Sequence, residues 1–498
     1  FFLSAPRSRQ WATMTAKDLP PLSLVGALFT YCPRLLISYV VFICATICRG
    51  IKRLVVGPPQ ENVNKRVLII TDYVPPQTHG IALRFQRYVE EMQKRRHEVH
   101  IFSPKMDGAR YTSFCHPDLP ALVNPYNKGN KMTFSAGVKL AWYLGAYQWD
   151  VVHLVYPSLL GWFVLPLCAW RAIPTYCSHH VDMELYFKKY TKGITYEIGT
   201  GFYWILFKFP AQQWGTVNAS MTQCFLEEHL SMAKMGSLRT AVIPTGVQQE
   251  RFMVENKQQV LHETKRLREK LKIDKNTKIF LMVQRLAPEK DTHRIFPALH
   301  ELKGKLDYHL VIVGHGPSEE PLKELAKGLD VTFLGRQANS SLPPLYRAAD
   351  VFVTCSRSET YGLTVLEALA CGTPVVMPHC IVFDELWKDK LPTDWIFTAG
   401  EKGSLVNALR SASKAEAKVW LSNNPVTASW AKATEILLEQ YDAMIKMNAP
   451  VKRRLKGLIN LMALITRLLI IILALFVTYH EIKLVRKTWR FLDEWIPG

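Results

Sequence analysis

The sequence predicts an α/β protein with two doubly wound, Rossmann-like domains facing each other across a central cleft. Short apolar runs recur in two series. The first is Val67 to Thr71, Val99 to Phe102 and Val151 to Val155; the second is Ile279 to Val283, Leu310 to Val313, Val331 to Leu334, Val351 to Thr354 and Val375 to Met377. Segments of helical spacing lie between them, as where Leu83, Tyr88, Val89 and Met92 share one face. Runs that are apolar throughout suit strands buried on both sides, as in parallel sheets covered by helices. Ligands in such domains bind beyond the carboxyl ends of the strands. The charged, helix-prone stretch Gln249 to Asp274 separates the series and reads as a linker.

Bulk properties narrow the function. At 498 residues the chain can bury two or three cores, and 48% hydrophobic with 21% charged residues excludes general disorder. A net charge of +20 implies a polyanionic partner. Basic residues are not interleaved with aromatics as nucleic-acid binding requires, so nucleic acid is not expected. Lys452, Arg453, Arg454, Lys456, Lys483, Arg486, Lys487 and Arg490 instead flank apolar sequence, which favours an anionic membrane surface. The ten cysteines form no Cys-x-x-Cys pair. Those in apolar runs (Cys44, Cys168, Cys371) are expected as buried free thiols, and the catalytic part is expected in a reducing compartment, with the sequons at Asn218 and Asn339 unused.

Both ends are hydrophobic. Leu458 to Tyr479 is long enough to cross a bilayer core of roughly 30 Å. Arg467 costs about 2.5–3.5 kcal/mol at a helix centre, and each Leu, Ile, Phe or Val returns about 0.3–0.6 kcal/mol, so membrane residence wins narrowly. A helix lying in the interface and a buried core helix are the alternatives. Leu19 to Cys48 is broken by Pro33 and Arg34, and its second half, Leu35 to Cys48, suits a kinked span or half-inserted anchor. The expected division is a hydrophobic anchor or targeting region at 1–65, domains at 66–248 and 275–447, a linker at 249–274, and a membrane segment with basic tail at 448–498.

The chemistry is expected at strand ends. Glu359 and Glu367 flank the turn Tyr361-Gly362-Leu363, which follows an apolar strand and opens a helix. The first N–H groups of such a helix attract a diphosphate, and carboxylates beside it accept hydrogen bonds from sugar hydroxyls. Acids are also favoured at helix starts on local electrostatic grounds. Arg285 and Lys290 follow strand Ile279 to Val283 and leave the sheet at the same end, suiting a departing diphosphate, although ordinary surfaces carry such pairs too. Gly314-His315-Gly316-Pro317 hints at a dinucleotide fingerprint, but the third glycine position holds Glu319 and Pro317 removes an N–H. Nicotinamide chemistry is therefore excluded, and Gly314 and Gly316 read as a tight turn beside a nucleotide. Gly80, after the first strand, reads equally as a phosphate-approach glycine or a plain turn. In Ser178-His179-His180-Val181-Asp182 the adjacent histidines point oppositely, so one faces a sugar and neither builds a metal site. No Asp-x-Asp occurs, so neither metal nor cofactor is expected.

Taken together, Gly80, His180, Arg285-x4-Lys290 and Glu359-x7-Glu367 resemble the retaining family 4 glycosyltransferases of the GT-B architecture, from about Val67 to Tyr441 and including Ile243 to Phe252. Ser178 to Asp182 with Tyr186 and Tyr190, Arg84-Phe85-Gln86 and the closing segment Trp430 to Tyr441 are similar to the branch that glycosylates diacylglycerol-type lipids, sulfoquinovosyltransferases included. Thr78-His79, and Gln284 where Gly usually precedes the Arg, depart from the family pattern. The resemblance implies that Glu367 holds the donor ribose and Glu359 the transferred sugar. It implies that Arg285 and Lys290 stabilise the leaving diphosphate, His180 contacts the sugar near the reacting centre, and Gly80 lets its loop close over phosphate. Tyr361, Gly362, Leu363, Gly314 and Gly316 then fall on the donor side, and Arg84, Asp182, Tyr186 and Tyr190 on the acceptor side. It implies a nucleotide-sugar donor (a UDP-sugar favoured, GDP-mannose as alternative), a lipid acceptor, and a plastid membrane or the cytosolic face of the endoplasmic reticulum or Golgi. A mannosyl- or N-acetylglucosaminyltransferase acting on a lipid-linked oligosaccharide or phosphatidylinositol is the second reading, and a non-catalytic scaffold the third.

Overall fold

The computed structural model describes residues 37–52, 64–75, 77, 80–104, 115–119, 121–124, 127–133, 137–156, 158, 160–181, 217–229, 239–243, 245–253, 256–426 and 428–446. Asp182, Tyr186, Tyr190, Thr78-His79 and the apolar run at 458–479 lie outside the described residues.

The first half runs α1 (37–52), β1 (Arg66–Ile70), α2 (Gly80–Lys94), β2 (Glu98–Pro104), β3 (Cys115–Leu119), β4 (Ala121–Asn124), β5 (Asn127–Thr133), α3 (Gly137–Ala146), β6 (Val151–Tyr156), α4 (Gly161–Arg171), β7 (Thr175–His179), β8 (Val217–Ser220) and β9 (Arg239–Val242). Its 7-stranded sheet has the order β3-β2-β1-β6-β7-β8-β9, and its pairings are parallel. β4 and β5 form a separate antiparallel hairpin.

The second half runs α5 (Gln249–Phe252), α6 (Lys257–Leu271), β10 (Lys278–Val283), α7 (Ile295–Leu302), β11 (Tyr308–Val313), α8 (Glu319–Leu325), β12 (Val331–Gly335), α9 (Leu342–Ala348), β13 (Val351–Val353), α10 (Leu363–Ala370), β14 (Val375–Pro378), α11 (Ile381–Trp387), β15 (Ile396–Phe397), α12 (Ser404–Ala412), α13 (Ala415–Asn423) and α14 (Trp430–Lys446). Its 6-stranded parallel sheet has the order β12-β11-β10-β13-β14-β15. Strand order reverses on either side of β1 and of β10, so the loops leaving β1, β6, β10 and β13 surround the positions where such sheets bind ligands.

The apolar runs became strands for the expected reason. β6 is buried along its whole length, and β10 everywhere but its first residue. Four features differ from the sequence expectation. The stretch read as a linker is largely helix. Leu267 of α6 joins the second domain's core, and Arg347 of α9 holds Glu263 of α6 through two hydrogen bonds of 2.7 Å. α14 closes the second domain in sequence yet contributes Trp430, Leu437 and Tyr441 to the first domain's core. Trp430 meets Tyr88 edge-on at 5.5 Å, Gln440 bonds the Val242 carbonyl at 2.8 Å, and Lys65 pairs with Asp442 at 3.0 Å. What is described of Leu35 to Cys48 is helix α1, packed on α3 and α4 through Phe42 and Ala45. Cys168 and Cys371 are buried, but Cys44 is exposed, because it sits on the side of α1 turned away from that packing. Among the described residues no helix is long and apolar enough to cross a membrane.

Candidate active site

β10 and β13 deliver the donor-side candidates. The loop after β13 climbs through Ser356 and Glu359 to Gly362, whose φ of +83° caps α10. A side chain at Gly362 would be strained and would press on Phe383, with its Cβ 2.6 Å from Cε1. The first N–H groups of α10 have no intrahelical acceptor. The loop after β10 carries Arg285 and Lys290, and the two loops are sewn together. Lys290 Nζ lies 2.5 Å from Glu359 Oε1, Arg357 Nη2 lies 3.3 Å from Asp291 Oδ2, and Ser358 Oγ donates to the Glu289 carbonyl at 2.8 Å. Gln284, the departure from the family pattern, donates to Thr292 Oγ1 at 2.7 Å and accepts from Thr354 Oγ1 at 3.3 Å. It therefore does structural work that a glycine lacks the side chain for.

The pairing of Lys290 with Glu359 is the main surprise for the assigned roles. The resemblance gives one the diphosphate and the other the sugar, whereas here they hold each other. Arg285 is freer: its Nη1 is 4.0 Å from Glu289 Oε1 and its side chain is 37% exposed. Gly314 and Gly316 are required by packing. A Cβ on Gly314, at φ +143°, would collide with the Gln284 carbonyl, and one on Gly316 with the Leu286 carbonyl. They draw the β11 loop tightly against the loop of Arg285.

Glu367 of α10 lines a small pocket with Leu83, Gly246, Arg251, Leu363 and Trp430. Tyr346, buried on α9, donates to Glu367 Oε2 at 2.9 Å. Burial pushes the Glu367 carboxyl up to about 7, while the Tyr346 hydroxyl and the Arg251 charge pull it down. The glutamate keeps some solvent access. Arg251 Nη2 is buried with no hydrogen-bond partner among the described residues, and burial lowers its pKa.

The first domain meets this site directly. Gly80 opens α2 so near α10 that a Cβ on it would lie 3.3 Å from Leu363 Cδ1. Arg84, 3% exposed, neighbours Tyr88 and Tyr361. Its Nη1 has no hydrogen-bond partner among the described residues, and burial lowers its pKa. Arg84, an acceptor-side candidate, thus neighbours Tyr361, a donor-side candidate.

The two histidines diverge as expected. His179 stacks on Tyr156 with centroids 5.0 Å apart, and its Nε2 meets Asn218 Oδ1 at 3.0 Å. That contact buries the Asn218 sequon. His180 lies edge-on to Phe85 at 5.4 Å, with Nε2 2.8 Å from Ser178 Oγ. Behind it runs a buried chain: Ser178 Oγ is 2.7 Å from His153 Nε2, and His153 Nδ1 is 2.6 Å from Tyr441 Oη. Burial lowers His153 to about 3, so its ring is neutral. The sequence reading passed over His153, Ser178 as a partner, Tyr346, Arg251 and Asp72. Asp72 follows β1 and accepts from Thr133 Oγ1 at 2.5 Å, and burial raises its pKa to about 7. A polar residue inside an apolar run, as in Val151-Val-His-Leu-Val-Tyr156, was the one available signal for His153.

Known proteins resemble this chain in sequence and in fold. The family description Glycosyl transferases group 1 matches residues 263–424 and Glycosyltransferase Family 4 matches residues 78–251. An alpha-monoglucosyldiacylglycerol synthase of Streptococcus pneumoniae is 30% identical over 66% of this chain and 74% of its own length. The sulfoquinovosyl transferase SQD2 of Arabidopsis thaliana is 22% identical, over 67% of this chain and 63% of its own. Among solved structures, Anabaena Alr3699/HepE in complex with UDP-glucose superposes with a TM-score of 0.53 at 16% identity, covering 76% of this chain and 100% of that one, a likeness of fold. By these matches the chain belongs to the group 1, family 4 glycosyltransferases of the GT-B fold.

Proposed function

We propose that this glycosyltransferase moves a hexose from a nucleotide-sugar donor to a membrane lipid such as diacylglycerol, with retention of anomeric configuration and without a metal. The observation that supports the reading is the meeting of the two domains at one turn: Arg84 of the first domain neighbours Tyr361 of the second, on the loop whose Glu359 pairs with Lys290 and which opens the helix of Glu367. Leaving-group departure builds charge on a diphosphate, and preorganised cations beside a helix N-terminus are the largest available stabilisation. Lys290 would exchange Glu359 for the diphosphate as the donor enters, which releases the Glu359 carboxylate toward sugar hydroxyls. Glu367, steadied by Tyr346, would hold the ribose.

The acceptor follows from the relatives' names, diacylglycerol in the streptococcal synthase, and from the basic, apolar ends of the chain. A UDP-hexose, sulfoquinovose among the sugars, is the favoured donor. GDP-mannose is the second, because a GDP-mannose-dependent alpha-mannosyltransferase of Mycobacterium tuberculosis is 26% identical over 63% of this chain. The test is an assay of membranes containing the protein with a panel of labelled nucleotide sugars, followed by mass spectrometry of the lipid extract. A glycosylated diacylglycerol supports the reading, label on a phosphatidylinositol or a lipid-linked oligosaccharide moves it to the second acceptor class, and no transfer from any donor refutes it.

A further inference from the structure

Among the described residues, helix α1 is held on one side only. Tyr39 meets Phe163 at 5.0 Å and Phe42 meets Trp170 at 5.5 Å, both rings on α4. Gly145 of α3 lies so close that a Cβ there would be 2.6 Å from the Phe42 carbonyl. The outward side carries Ile37, Val40, Ile43, Ile47 and Ile51, between 43% and 56% exposed, in a single row at helical spacing. Cys44 and Cys48 are exposed within the same row. α3 extends the surface with Val138 and Trp142, 53% and 42% exposed. A continuous aliphatic row of this kind marks an interaction surface, not ordinary scatter.

The surrounding charge selects the occupant. Between Asp18 and Glu61 the sequence contains no acid, and α3 contains none either, whereas Arg34, Arg49, Lys52 and Arg53 fall in or beside α1. Protein interfaces deplete Lys at their cores and bring acids to meet bases. An aliphatic row on a helix that carries cations and no acid, with a Trp on the neighbouring acid-free α3, complements an anionic lipid surface. The position of the row matters as well. Tyr39 enters beside the first turn of α4, the helix that follows β6, and β6 ends in the Tyr156 that stacks on His179 beside His180.

We propose that α1, with the edge of α3, is a docking face that lies in the outer layer of an anionic bilayer. It would seat the first domain with the cleft end of its sheet at the lipid surface. That a lipid acceptor then reaches His180 by lateral diffusion rests on the acceptor reading above; the docking itself does not.

The cysteines within the row supply the test. The full chain is treated with a charged, water-soluble maleimide in buffer, with phosphatidylcholine vesicles, and with vesicles containing phosphatidylglycerol, and labelling is read residue by residue by peptide mass mapping. Labelling of Cys44 and Cys48 is expected to slow by about tenfold or more on the anionic vesicles, with Cys224 unchanged. Attachment through another apolar segment does not shield α1, so buffer-like labelling on vesicle-bound protein overturns the proposal. Protection already complete in buffer also overturns it, because another part of this chain or a second copy then covers the face.

As a second arm, Ile43→Glu with Ile47→Glu changes two exposed side chains and is expected to preserve the thermal melt. Transfer to acceptor in anionic vesicles falls by about tenfold or more, while transfer to detergent-dispersed acceptor is unchanged. Unchanged transfer on vesicles counts against docking. Absence of transfer in detergent by the unaltered protein counts against the acceptor reading alone, since the labelling result stands without turnover.

Discussion

Tyr441 Oη lies 2.6 Å from His153 Nδ1, and through that contact the last described helix reaches the candidate catalytic histidine. His153 is neutral, so one ring nitrogen donates and the other accepts. Ser178 has a single proton to give. The chain Tyr441–His153–Ser178–His180 therefore has one direction at a time, set by whether His180 Nε2 carries hydrogen. With Nε2 of His180 accepting, every proton points toward His180; with Nε2 donating, every bond reverses. Removing a link leaves a buried group unsatisfied, which costs about 1–3 kcal/mol.

Ser178→Ala and Tyr441→Phe are therefore expected to lower kcat about tenfold with donor KM changed less than about twofold, consistent with losing about 1.4 kcal/mol from the transition state. Ser178→Thr, which keeps the hydroxyl, should recover most of the rate. Equal losses in the Ala and Thr variants, or a change confined to KM, would show the chain to be packing alone.

Much of the fold was legible because parallel strands covered on both faces are apolar throughout, as in Val151 to Tyr156 and Lys278 to Val283. β8 escaped because Val217-Asn-Ala-Ser220 alternates polar residues whose partners lie on a neighbouring strand: Asn218 with His179, and Ser220 with the His179 carbonyl. The site divides the same way. Glu359 and Glu367 flank one turn, eight positions apart, so spacing was enough to single them out as candidates. Asp72 and Thr133 are 61 positions apart and His153 and Tyr441 288, and only folding brings such pairs together. The packing of the helix-prone stretch Gln249 to Asp274 escaped for a related reason. A mostly polar helix is held by the bidentate Arg347–Glu263 pair, which local sequence does not display.

Glu367 should make donor affinity pH-dependent. Its carboxyl is raised to about 7, so below that value it is protonated and loses the charge that strengthens hydrogen bonds from ribose hydroxyls. Nucleotide-sugar Kd measured by calorimetry is expected to weaken as pH falls from about 8 to about 6, and to be flat in Glu367→Gln. The diphosphate of a nucleotide sugar does not titrate there, so the slope belongs to the protein. Tyr346→Phe removes a donor that lowers the Glu367 pKa, so the transition moves to higher pH and affinity at pH 7 drops by about 5–10-fold. An unchanged transition in that variant would detach Tyr346 from donor binding.

Arg285→Ala and Lys290→Ala are each expected to lower turnover by about 10²–10³, as for loss of a donor to a developing oxyanion. Lys290 also neutralises Glu359 at 2.5 Å, so the single variant strands a carboxylate beside the diphosphate. Adding Glu359→Ala to Lys290→Ala should therefore cost less than the two single losses multiplied together. Strict multiplicativity would mean that the pair does not communicate during turnover.

If Arg285, Lys290 and the first turn of α10 meet the diphosphate charge unaided, turnover survives EDTA. Loss of activity on chelation that magnesium or manganese restores would contradict the metal-free proposal, whatever the lipid product.

Asp72 gives the site a stability signature. It is 4% exposed at the carboxyl end of β1 and is bonded by the hydroxyl and backbone N–H of Thr133, which tie the β4–β5 hairpin to the strand where the sheet reverses. Burial outweighs those bonds and raises its pKa from 3.8 to about 7. Between these values the folded chain holds a proton that the unfolded chain releases. The stabilising contribution is thus whole below about pH 4 and is lost as pH rises toward about 7, at up to about 1.4 kcal/mol per pH unit. Asp72→Asn keeps a carbonyl acceptor for Thr133 and carries no titrating group. Denaturant unfolding of both proteins from pH 4 to 8 should show the variant gaining on the native chain through that window and no further above it. Other titrating groups, Glu367 included, are common to both and cancel in the difference. A difference independent of pH would place the Asp72 carboxylate in water instead of under the hairpin.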